Sequence, residues 1–226
     1  DSIPALHICG QVNTFEQKDA STSTKKVRQI GFQETEIVEI ARPITKYSYK
    51  LKSPYEIRYV LEKAYHIATS GRPGPVLIDI PLNFQNLNIN EKKLRPFKPK
   101  KEIKKNNYIK ITKKINSLLK KAKRPVVILG GGIKYAKAEK ILNKFLKKIK
   151  IPILTTWSGT DLIDHNNKNY IGNIGVYGSR CANFSVQNSD LVFCLGTRLD
   201  TRTTGGVPRT FARDAKKIVV DIDRNE

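Results

Sequence analysis

A chain of 226 residues is long enough for two small domains or one large one, and a 39% hydrophobic share with 27% charged residues is that of an ordinary globular protein. No apolar run approaches a membrane span, no N-terminal signal pattern is present, and Cys9, Cys181 and Cys194 lack metal-ligand spacing, so a reduced cytoplasmic setting is expected. The formal charge of +22 suits anionic ligands, but its excess clusters between Lys92 and Arg124 without the interleaved aromatics of a stacking platform, and nucleic acid is not expected as a partner.

The absence of Met and an opening almost inside an apolar run suggest a fragment of a longer protein. Ile3–Cys9 reads as a buried strand closed by Gly10. Gln11 to Gly31 is polar, without apolar period, and reads as a long surface loop. Phe32 to Arg42 predicts a short helix with Ile37, Val38 and Ala41 on one face, ended by Pro43, and Thr45–Leu51 a short strand.

The next helix has the clearest boundaries. Ser53 is its N-cap, Pro54 its first position and Glu56 the partner in a capping box. Ile57, Val60, Leu61, Ala64, Ile67 and Ala68 form its apolar face, and Gly71 stops it. SGRPGP then leads into strand Val76–Ile80. The stiff turn holds Arg72, a residue suited to pairing with a carboxylate or to reaching a phosphate.

Residues 87–106, rich in lysine and interrupted by Pro96 and Pro99, read as a linker between a first domain at 1–86 and a second at 107–226. The second opens with a helix whose face is Ile111, Ile115, Leu118, Leu119 and Ala122. There follow strand Val126–Leu129, a glycine turn, helix Tyr135–Lys150, strand Ile151–Thr155 and a loop to Gly178. Helix Ser179–Asn188, strand Leu191–Leu195 and strand Lys217–Ile222 complete it. This alternation predicts an α/β fold with a Rossmann-like, doubly wound parallel sheet.

Ligands of such sheets lie beyond the carboxyl ends of the strands. Those ends carry Gly130, Gly131 and Gly132, then Thr155, Thr156 and Trp157, then Arg198, Asp200 and Arg202, then Asp221 and Asp223. Glycines admit a cofactor to the backbone, arginines suit pyrophosphate, and a strand-end Asp suits a ribose hydroxyl. Each also has an ordinary structural explanation, and together they predict a dinucleotide pocket. His7, His66 and His165 form no metal or catalytic arrangement.

Several stretches, in order, resemble the thiamine-diphosphate-dependent enzymes of the acetolactate synthase group. They are GQV at 10–12, FQET at 32–35, RPITKY at 42–47, SGRPGPVLIDIP at 70–81, RPVVILGGG at 124–132, GVYGSRCANF at 175–184, GTRLDTR at 196–202 and VVDIDRNE at 219–226. The resemblance implies the second half of a pyrimidine-binding α/β domain at 1–86, followed by most of an FAD/NAD-binding-type central domain. It implies a homodimer or homotetramer that uses thiamine diphosphate and Mg2+, held mostly outside this stretch, on a 2-oxo acid. The stretch alone is then expected to be inactive. Phe32 and Gln33 match a pair lining the active site. Arg72, Gly130–Gly132, Thr155, Arg198, Asp200, Arg202, Asp221 and Asp223 fall where flavin-containing members hold FAD. Asn13 in place of proline, Gly31 in place of alanine, Leu82 in place of lysine and the longer loop before Phe32 depart from the family pattern. They leave open branched-chain amino-acid synthesis, or a carboligase, decarboxylase or lyase of another pathway. The alternative class is a non-catalytic nucleotide- or polyanion-binding protein.

Overall fold

The computed structural model describes residues 2–18, 28–100, 108–223 and 225. The chain divides into two compact units, Asp1–Ile103 and Lys104–Glu226.

The first unit comprises β1 (Leu6–Gln11), α1 (Ile37–Ala41), β2 (Tyr47–Lys50), α2 (Ile57–Thr69), β3 (Val76–Pro81) and α3 (Leu82–Gln85). Its sheet has the order β1-β3-β2, with both pairings parallel. The central strand β3 is buried along nearly its whole length, as expected of an apolar run covered on both faces. Val76 and Ile78 pack against Val60, Ala64 and Ala68 of α2. The intervening Leu77 and Asp79 therefore belong to the opposite face.

The capping box at Ser53 and Glu56 forms as expected, but the turn it opens is a 3-10 turn, Pro54–Glu56, that runs into α2. Gly71, at φ 59°, follows the helix end. Lys46 completes that end, where its Nζ donates to the carbonyls of Ile67 (2.5 Å), Ser70 (2.9 Å) and Arg72 (2.7 Å). A cation there meets both the unpaired carbonyls and the negative end of the helix. Past α3 the chain returns along α2. Leu94 is buried, the Phe97 ring lies edge-on to Tyr59 at 5.5 Å, and Glu62 accepts from the Phe97 amide at 2.7 Å. The helix expected over Phe32–Arg42 is confined to α1, because Gln33 takes φ 69° and the chain turns there instead of coiling.

The second unit contains α4 (Tyr108–Lys121), β4 (Pro125–Leu129), α5 (Gly132–Tyr135), α6 (Glu139–Leu146), β5 (Ile153–Thr155), β6 (Tyr170–Asn173), α7 (Arg180–Gln187), β7 (Leu191–Leu195), α8 (Thr201–Thr204) and β8 (Lys216–Val220). Its sheet has the order β6-β5-β4-β7-β8 and is parallel throughout. Alternate residues of β4 enter two different cores. Val126 and Ile128 join Ala182 and Val186 of α7, whereas Val127 and Leu129 join Leu142 and Leu146 of α6 and Ile115 and Leu119 of α4. Helices on both faces of a parallel sheet make the doubly wound architecture, and the strand order reverses at β4 and β7.

Two elements differ from expectation. The helix expected over Tyr135–Lys150 is shortened to α6, and a separate short helix, α5, ends at Tyr135; Lys137 at φ 52° and Ala138 N donating to Ile133 O at 3.0 Å divide them. The stretch read as a loop to Gly178 contains β6, an edge strand whose YIGN sequence lacks an apolar run and bends at Gly172, φ 130°. No helix among the described residues is long and apolar enough to cross a membrane. Cys194 is wholly buried, and its burial pushes the thiol up to about 12.

Replacing Lys46 by Met leaves three carbonyls at the end of α2 without their charged donor. The change is expected to lower the unfolding free energy of the protein by about 1–3 kcal/mol. Denaturant titration checks it, and an unchanged midpoint would rule out this role for Lys46.

Candidate functional site

The turn Gly130–Gly132 leaves β4 at the carboxyl edge of the second sheet. A Cβ on Gly130 would stand 2.4 Å from both Gly196 O and Thr197 Cβ, and one on Gly132 2.7 Å from Gly196 O. The backbones of the β4 and β7 ends therefore touch with no side chain between them. The amides close the contact. Gly130 N donates to Leu195 O at 2.9 Å, Gly132 N to Gly196 O at 2.8 Å, and Gly131 N to Ser158 Oγ at 3.3 Å. Gly196, at φ 62°, in turn donates to Val220 O of β8 at 2.9 Å.

A phosphate-binding glycine loop presents free amides to its ligand. Here all three are spent inside the fold, and α5, which follows, has only four residues. Gly130 and Gly131 are buried and Gly132 is half-buried, so the turn packs on its own neighbours, and the cationic groups at this edge are the Arg198 and Arg202 side chains.

The other strand-end residues divide into those turned inward and those at the surface. Thr155 is wholly buried and its hydroxyl is shared with Tyr170 Oη at 3.0 Å and with Asn173 Oδ1. Arg198 is exposed, with its Nε 3.6 Å from Asp200 Oδ2, and the other Asp200 oxygen caps α8 by accepting from Thr203 N at 2.9 Å. Arg202 is exposed on α8. Asp221 Oδ1 accepts from Asp223 N at 2.9 Å, and Asp223 Oδ1 from Asn225 N at 3.0 Å, so both carboxylates shape the turn after β8. Trp157 is stacked on Tyr177, centroids 4.8 Å apart and planes at 14°, although each residue is 63% exposed. The pairing was not legible in the sequence, because its two members lie in separate loops.

Phe32, Gln33 and Arg72 belong to the first unit. Arg72 Nε donates to Ser2 Oγ at 2.9 Å. Phe32 is 88% exposed, at the tip of a turn whose next residue, Gln33, has left-handed backbone geometry. Gly31 precedes them with no room for a side chain, since its Cβ would lie 2.9 Å from Glu16 O.

Two residues not predicted as site residues stand behind this turn. Gln11, at the end of β1, donates through Nε2 to Thr35 O at 2.6 Å and to Asp79 Oδ2 at 3.1 Å. Asp79 is 1% exposed, and its Oδ1 has no hydrogen-bond partner. Burial raises its carboxyl above the ordinary value, against the Gln11 amide and the Lys50 charge, which lower it.

The contact between β4 and β7 predicts unequal effects of adding one methyl group. Gly130→Ala meets backbone and Thr197 Cβ at 2.4 Å, whereas Gly131→Ala meets chiefly the Ser158 side chain at 2.9 Å. Losses of roughly 3 and roughly 1 kcal/mol are expected respectively. Equal losses in equilibrium unfolding would contradict the close backbone approach.

Residues 112–226 match the family described as thiamine pyrophosphate enzyme, central domain. Over 100% of its length the chain is 34% identical to the probable acetolactate synthase large subunit of Methanocaldococcus jannaschii, covering 37% of that protein. It is likewise 34% identical to the acetolactate synthase isozyme 2 large subunit of Escherichia coli, of which it covers 39%, and to the acetolactate synthase large subunit of Corynebacterium glutamicum, of which it covers 34%. The chain thus spans between about a third and two fifths of the length of these curated relatives. A family match across the doubly wound second unit, with likeness to the same enzymes running through the first, establishes that this chain belongs to the thiamine pyrophosphate enzymes.

Proposed function

We propose that this chain is part of a thiamine-diphosphate- and Mg2+-dependent carboligase that decarboxylates a 2-oxo acid and joins the remaining fragment to an acceptor carbonyl. The observation that carries this reading is the likeness to acetolactate synthase large subunits over the whole chain, both units included. When bound, thiamine diphosphate supplies the nucleophilic carbon and the electron sink for both steps. The contribution of this chain is to position and select. Phe32, held out at the tip of its turn, limits the size of the acceptor, and Gln33 hydrogen-bonds near the cofactor.

The edge of the second sheet takes a dinucleotide such as FAD in a structural role. Arg198 and Arg202 supply its positive charge, and Asp221 is an acceptor for a hydroxyl. The exposure of both arginines at the carboxyl edge of the sheet supports this reading.

Two measurements on the full-length protein test the proposal. With thiamine diphosphate, Mg2+ and two competing 2-oxo acid acceptors of different size, Phe32→Ala is expected to shift the product ratio on the order of tenfold toward the larger acceptor. An unaltered ratio would remove Phe32 from the site, and absence of 2-oxo acid consumption in the parent protein would sink the carboligase reading. Trp157 is the single tryptophan of this chain. FAD binding at the sheet edge is expected to quench its emission saturably, measured as the difference between the parent protein and Trp157→Phe, and to do so less in Arg202→Ala. A Trp157 emission indifferent to FAD would exclude that site.

A further inference from the structure

Gln33 holds a backbone geometry, φ 69°, that residues with a side chain rarely adopt and that persists only where the surroundings impose it. The residue after it shows how. One Glu34 carboxylate oxygen accepts from Lys18 N at 2.8 Å, and the other accepts from Ile30 N at 2.9 Å. Its own amide donates to Gly31 O at 3.1 Å, and its carbonyl accepts from Gln29 Nε2 at 3.0 Å. One residue thus ties together two stretches of chain that stand on either side of residues 19–27, which lie outside the described residues. The following residue is tied as well, since Thr35 O accepts from Gln11, itself anchored on buried Asp79.

Burial by itself would raise the Glu34 carboxyl, but the amides of Ile30, Lys18 and Gly31 and the charge of Lys18 outweigh it and hold it below the ordinary value. The group is therefore an ionised, acceptor-only carboxylate at neutral pH, the form that two backbone amides require.

We propose that Glu34 is a positioning residue, whose carboxylate clamps the segments at Lys18 and Ile30 and thereby fixes the turn that presents Phe32 and Gln33, setting acceptor choice without touching substrate. The consequence for acceptor choice rests on the role assigned above to Phe32; the clamp itself does not.

The experiment compares Glu34→Ala, Glu34→Gln and Phe32→Ala in the full-length protein, with two readouts. Amide hydrogen exchange at Lys18 and Ile30 reports the clamp, and the product ratio from two competing 2-oxo acids of different size reports its consequence. In Glu34→Ala both amides are expected to exchange roughly tenfold faster or more. The product ratio is expected to move in the direction taken by Phe32→Ala. Glu34→Gln retains one acceptor oxygen, so it is expected to speed one amide only and to move the ratio less; it also serves should the alanine variant not fold.

Unchanged exchange in the glutamine and alanine variants would overturn the clamp. Faster exchange with an unmoved ratio, where Phe32→Ala does move it, would overturn the positioning role, as would a fall in turnover alone. If Phe32→Ala also leaves the ratio unmoved, the reading of Phe32 fails and the proposed consequence falls with it, while the exchange data still decide the clamp.

Discussion

At the carboxyl edge of the second sheet, the turn after β4 lies so close to the backbone of Gly196 that a Cβ on Gly130 would stand 2.4 Å from its carbonyl oxygen. This contact needs glycine on both sides, and Gly196 adopts a left-handed φ of 62° to make it. Through it β4, β7 and β8 are joined past the ends of their regular pairing, by Gly130 N to Leu195 O, Gly132 N to Gly196 O and Gly196 N to Val220 O. The three strand ends that flank the reversal of strand order are thereby held in one rim. The surface groups near that rim are Arg198, Arg202 on α8, and the Trp157–Tyr177 stack.

The same contact changes what the glycines do. A run of three after a buried strand has the look of a loop that cradles phosphate with its amides, and here those amides are consumed by Leu195 O, Gly196 O and Ser158 Oγ. The cationic groups at this edge are the side chains of Arg198 and Arg202. Such side chains are longer and more adaptable than a fixed amide nest.

In the first unit the corresponding constraint is polar. The apolar side of β3 packs on α2, whereas its other side carries Asp79, a buried carboxylate held by Gln11. Gln11 spends the same amide nitrogen on Thr35 O, so the strand end, the central strand and the segment after Phe32 and Gln33 share one side chain. Burying a carboxylate with one oxygen unpartnered opposes folding, and such groups persist where they hold a particular geometry. Together with Glu34 it explains how an exposed phenylalanine on a left-handed turn keeps a defined direction.

Much of this was legible in residues 1 to 226 without coordinates. Strands buried on both faces must be apolar along their length, so VLIDIP and PVVIL announce themselves, and the capping box at Ser53 marks α2 because a helix start has amides to satisfy. The alternation of these runs with helical periods determined the doubly wound class, and the order of the motifs determined the family. Other features depend on residues far apart in the chain. The edge strand β6 carries no apolar run, the break at Lys137 is a backbone state that residue type does not encode, and Trp157 meets Tyr177 only because two loops converge. Local propensity and periodicity are properties of neighbouring residues, so the sequence determined elements, class and family. The spending of the glycine amides, the burial of Asp79 and the left-handed turn at Gln33 were decided by tertiary structure, because each is set by a partner that only the fold brings within reach.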